Sequence, residues 1–199
     1  QTSGKTAQNF TGQHMEMDVM DRLTGQLAHI GDYTVAIGEA ILAELALRLK
    51  AEGLSAPEIA ARLEQEREQI HVIALLDTLE YLKKGGRISA ATAIAGGLLN
   101  IKPVVCIENG EIRMLGKARG SRQANNLLVQ EIGKAGGVDF TQPVLLGYTG
   151  LSDALLKKYV LDSGALWDGH GDCIRSTIIG SVIGTHAGPG AIAVAFFRK

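Results

Sequence analysis

Three glycine-bearing segments carry the side chains best suited to chemistry. The first is Lys83-Lys84-Gly85-Gly86-Arg87-Ile88-Ser89, in which cations flank a glycine pair and Ser89 stands where a helix is expected to begin. Bare backbone amides beside positive charge form an anion site. The plainer reading is a glycine helix stop among solvated basic residues. The second is Lys117-Ala118-Arg119-Gly120-Ser121-Arg122. It places cations at an expected helix N-terminus with Ser121 as the cap. The helix dipole opposes such charges unless an anion offsets them; an exposed basic turn is the alternative. The third is Gly184-Thr185-His186-Ala187-Gly188-Pro189-Gly190. It reads as a rigid loop around one histidine, whose ring can donate a hydrogen bond to a carboxylate. A lone histidine can equally be structural.

Other chemistries find less support. The chain has no HExxH, CxxC, GxSxG or GxGxxG, and the basic glycine loops lack Walker spacing. His14, His29, His71 and His170 show no paired metal spacing, and Cys106 and Cys173 read as separate reduced thiols. Asp77 and Glu80 fit a strand-to-helix corner as solvated or capping groups. A serine hydrolase using Ser3 or Ser89 with His186 stays open. The net charge of −1 and an aromatic content of 5% argue against nucleic acid and anionic membrane as partners. Apolar residues at 46% and charged residues at 21% are an ordinary globular balance. The opening residues do not read as a secretory leader and no apolar run reaches bilayer length, so a cytoplasmic location is expected.

The elements that must position these loops alternate between helix and strand. Val35, Ile37, Ile41, Leu42, Leu45 and Leu49 recur at helical spacing up to Gly53. Ser55 and Glu58 have capping-box spacing, Pro57 suits the first turn, and Ile59, Leu63 and Ile70 are expected on the buried side of that helix. Residues 71–76 suit a buried strand, and Thr78 opens a short helix. Residues 89–100 predict an apolar helix rich in small residues. Strands at 103–108 and 111–117 flank Asn109-Gly110, a type I′ hairpin signal. A helix at 121–135, a strand at 143–148, a helix at 152–162 capped by Ser152, and strands at 173–180 and 191–197 follow. This pattern is an α/β class with a mixed sheet.

Four of these stretches together, LEYLKKGGRIS (79–89), GGLLNIKPVV (96–105), GKARG (116–120) and VIGTHAGPGAIAVAF (182–196), resemble the DegV family in order and spacing. QTSGKTAQN (1–9) is similar to the family's serine loop, usually written SGTxQ, with Lys5 inserted. The resemblance implies that roughly the first third of a typical bacterial member precedes Gln1. It also implies a two-domain α/β architecture, with residues 1–80 the remainder of an N-terminal domain, 81–199 a C-terminal domain, and the ligand at their junction. The implied ligand is a long-chain fatty acid, its carboxylate held by Ser3, Thr6 and His186. Gly85, Gly86 and Gly188 would belong to the supporting loops, and Arg87 and Arg119 would supply positive charge for ligand or partner. The implied partner is a fatty acid kinase; no catalytic residue, metal or cofactor is expected. The acyl chain is expected along residues 90–99 with Val104 and Val105. An enzyme (a hydrolase or phosphotransferase built on the glycine loops and His186) and a pure interaction module are the competing classes.

Overall fold

The computed structural model describes residues 35–88, 100–108 and 110–199. Ile37, Ile41, Leu42, Leu45 and Leu49 form the buried stripe of helix α1, Ile37–Ala51. It stops where Gly53 takes a φ of 94° and the Leu54 N–H donates to the Leu49 carbonyl. Helix α2, Ala56–Glu66, begins with the expected capping box, since the Ser55 N–H donates to Glu58 Oε2 at 2.8 Å and Ser55 Oγ closes the pair. The helix ends earlier than its apolar spacing predicts. A 3₁₀ turn, Arg67–Gln69, follows, and Ile70 opens strand β1, Ile70–Leu75, instead of extending the helix.

Helix α3, Glu80–Lys84, comes next, with Thr78 Oγ1 accepting from the Glu80 N–H. Strands β2, Ile101–Glu108, and β3, Glu111–Arg119, form the hairpin, with Glu108 opposite Glu111 and Gly110 at a φ of 75°. Helix α4, Gly120–Lys134, begins one residue before Ser121 and has no side-chain cap, so the expected Ser121 cap is not formed. The Gly120 N–H instead donates to the Asn100 carbonyl. Strand β4, Leu145–Tyr148, helix α5, Ala154–Asp162, helix α6, Gly164–Trp167, and strand β5, Arg175–Ile178, follow. Helix α7, Ser181–Ala187, and strand β6, Ile192–Phe197, complete the order.

The strands among the described residues form one six-stranded sheet in the order β3-β2-β1-β6-β4-β5. All neighbours are antiparallel except β4 and β5, which are parallel. The class is therefore α/β with a mixed sheet, as the alternation predicts. β1 precedes residue 80 and pairs with β2 and β6, which follow it, so residues on both sides of that position share the sheet.

Helices cover both faces. Ile73, Val104, Leu146, Val194 and Phe196 face α4, α5 and α6, packing with Leu128, Ile132, Tyr159 and Trp167. Val72, Ala193, Ala195 and Phe197 face α1 and α2, packing with Ile41, Leu45, Ile59 and Leu63. Alternate residues of β6 thus point to opposite cores, and all six are buried. A central strand covered on both sides needs that run of apolar residues. No helix among the described residues is long and apolar enough to cross a membrane.

Candidate functional site

On the α1 side of the sheet the packing does not close completely. A cavity of about 470 Å³ remains between the strands, the start of α1, the end of α3 and helix α7. Its floor has small side chains at the centre. Ala74 on β1 lies directly across from Val105 on β2 and from Ala193 on β6. Ile37, Ile179 and Ile183 wall one side, and Ile107 and Ile112 of the hairpin another. The polar groups are few: His186, Arg87 and Glu111. A mostly apolar cleft with a small number of placed polar groups is the usual form of a small-molecule site.

His186 is brought there by a helix, which corrects the loop expected over 184–190. The Gly184 N–H donates to the Gly180 carbonyl and the Gly188 N–H to the Gly184 carbonyl, so helical bonds run through the glycines. Only Gly188–Gly190 forms the turn. His186 Nδ1 is buried and has no hydrogen-bond partner among the described residues. A buried polar atom left unpaired costs stability.

Gly85 and Gly188 are glycines because of what lies against them. Gly85 has an ordinary φ of −79°. A Cβ there would lie 2.7 Å from His186 Cε1 and closer still to Nδ1. The imidazole packs into the space that the missing side chain leaves. Gly188 has a φ of 77°, and a Cβ there would lie 2.8 Å from Tyr81 Cε2 and closer to Cδ2. The turn beyond it is held by Thr149. Its buried hydroxyl donates to the Gly188 carbonyl at 2.5 Å and accepts from the Ala191 N–H at 2.9 Å.

Gly86 closes α3 with a φ of 69°, the Arg87 N–H bonding back to the Leu82 carbonyl. Arg87 lines the cavity and donates from Nη1 to the Gly85 carbonyl at 3.1 Å. Gly85, Gly86, Arg87, His186 and Gly188, read from two segments about a hundred residues apart, therefore meet at one end of the cavity. Arg119 does not join them; it ends β3 opposite Ile101, exposed. Ser3 and Thr6 lie outside the described residues, as do residues 90–99 of the expected acyl path. Val105 lines the cavity as expected, but Val104 faces the α4 core on the other side of the sheet. Tyr81 and Ala193 lie within the family-like segments and Ala74 and Thr149 outside them, and only the packing shows what each of the four does.

The family model described as "Uncharacterised protein, DegV family" matches residues 8–199. The chain belongs to the DegV family. A DegV domain-containing protein of Caldanaerobacter subterraneus is 32% identical over 165 residues, which are 82% of this chain and 57% of that protein. The chain thus spans little more than half the length of this relative. Among solved structures, the fold is similar to a fatty-acid-binding DegV family protein of Thermus thermophilus, with a TM-score of 0.68 and 26% identity, covering 83% of this chain and 59% of that one. It is also similar to a fatty acid kinase B3 protein of Streptococcus pneumoniae loaded with linoleic acid. There the TM-score is 0.68 at 22% identity, covering 79% and 55% of the two chains, and the likeness concerns the fold alone.

Proposed function

We propose that this DegV chain binds a long-chain fatty acid in the cavity beneath α7 and presents it to a fatty acid kinase. The observation that carries the reading is the His186 imidazole set in the wall of an otherwise mostly apolar cavity of about 470 Å³. A carboxylate there accepts a hydrogen bond from the ring, and the Arg87 guanidinium beside it contributes charge. A buried carboxylate without such donors would take up a proton instead. The apolar floor then takes the acyl chain, at about 0.8 kcal/mol per buried methylene. By the family resemblance, Ser3 and Thr6 complete the carboxylate site, and Gly85, Gly86 and Gly188 leave the room that His186 and the turn require. The reading assigns no bond-making step to this chain.

Arg119 takes the partner role. It is exposed and away from the cavity, so its charge is available to a docking protein rather than to the buried ligand. The decisive experiment is native mass spectrometry of the purified protein with identification of the extracted lipid. One fatty acid per chain, lost in His186→Ala with the fold retained, is the expected result. Arg119→Ala should retain the lipid but slow phosphorylation of the bound acid by the kinase. Unchanged lipid retention in His186→Ala would remove His186 from the site. Turnover of simple esters abolished by His186→Ala would favour a hydrolase instead.

A further inference from the structure

The opposite face of the same strands carries a second cavity, of about 490 Å³, whose character differs. It lies between β1, β2, β3 and the last turn of α4. The floor is apolar, built by Ile73, Cys106 and Leu115, but the rim is charged. Arg67 in the 3₁₀ turn, Arg113 on β3, Lys134 at the end of α4 and Arg198 just beyond β6 bring four cations from four elements. Glu68, Glu108 and Glu131 bring three carboxylates. The cations are positioned by their neighbours: Arg113 pairs with Glu108, Lys134 with Glu131 at 2.6 Å, and Arg67 with Glu64 at 2.7 Å. Arg198 Nε donates to the neutral amide oxygen of Gln69 at 2.6 Å, and no carboxylate among the described residues pairs with it.

His71 stands in this cavity, its ring stacked on Phe196 with centroids 5.7 Å apart. Its Nε2 is buried and has no hydrogen-bond partner among the described residues. Burial, and then the charge of Arg198, push its pKa below the ordinary value. The neutral ring lies beside Arg198 and would sense an anion bound there. The fatty acid reading makes no use of these groups, which lie across the sheet from His186.

We infer that this cavity is a second ligand site, for a small phosphate-bearing anion. Arg198 supplies charge that no described carboxylate pairs, and the ion-paired Arg67, Arg113 and Lys134 extend the basic rim on which the several acceptor oxygens of a phosphate can draw. The apolar floor beside them has room for the body of a phosphate ester. Free phosphate and a phosphate ester share the chemistry that the rim recognises.

The test is a titration of the histidine ring resonances of the full chain at low salt, first with inorganic phosphate and then with glycerol 3-phosphate. A saturable shift of His71 is expected with both; tighter binding of the ester would mark an organic ligand, and equal binding the free ion. Arg198→Gln, at an exposed position, should weaken binding about tenfold through loss of one charge-assisted contact. It should leave lipid retention unchanged, so the two sites are read separately. Absence of a saturable His71 shift, or an affinity unchanged in both Arg198→Gln and Arg113→Gln, would overturn the assignment.

Discussion

Ala74→Leu offers a graded test of where the acyl chain lies. Ala74 sits in the centre of the cavity floor, opposite Val105 and Ala193, with its Cβ toward the cavity. Leucine adds three carbons to that side chain. The added atoms enter open space, so the cost of overpacking should be small compared with a change in a filled core. They displace about the same volume of bound tail. At about 0.8 kcal/mol per methylene, a chain that fills the cavity should lose about 2.4 kcal/mol, or about 60-fold in Kd. An acid shorter by the displaced length should bind nearly as before. The assay is competition of a series of saturated acids against a fluorescent fatty acid, with circular dichroism as the control for folding. An unchanged ranking of chain lengths in a folded Ala74→Leu protein would refute a tail lying over β1.

Gly85→Ala should drive the His186 ring from its place and reduce lipid retention as far as His186→Ala does, read by native mass spectrometry. Retention equal to the unaltered protein would show that the ring can shift without consequence. Thr149→Val leaves the Gly188 carbonyl and the Ala191 N–H without their hydroxyl partner, and should lower stability by about 1–3 kcal/mol in urea unfolding. His71 predicts a pH effect on stability. Its folded pKa lies below the ordinary 6.5, so the unfolded chain binds the extra proton first as pH falls. Stability should be full above that value, decline as pH drops through it, and level off below the folded pKa. The charges lining the same cavity are Arg67, Arg113, Lys134, Arg198, Glu68, Glu108 and Glu131. His71→Gln should flatten that limb of the melting-temperature profile.

Local signals in the sequence read through well. The α1 stripe, the Ser55–Glu58 capping box and the hairpin at Gly110 each depend on neighbours within a few positions, and each formed. Where tertiary contact decides, the sequence was ambiguous. Helix α7 hid behind its glycines, which weaken helical propensity without preventing the bonds that Gly184 and Gly188 make. The run Val104-Val105-Cys106 is apolar throughout, as a strand covered on both sides must be. Its pattern therefore could not say which valine faces the cavity; the register with β1 does. Gly85 read as a helix stop, and it is one, but its second role against His186 needs two segments a hundred residues apart to meet. Ala74 and Ala193 matter for the space they leave, which no motif records.

The place of β6 bears on how the protein comes into being. In sequence order this strand follows the other five described strands, yet it lies in the middle of the sheet, bonded to β1 on one side and β4 on the other. During synthesis the β3-β2-β1 half and the β4-β5 half must wait, each with an open edge, until residues 192–197 leave the ribosome. Pairing across more than a hundred residues is slow to nucleate, and unpaired edges invite association with other chains. A nascent chain stalled short of Ile192 would hold two half-sheets with nothing between them, and would be a natural client for chaperones.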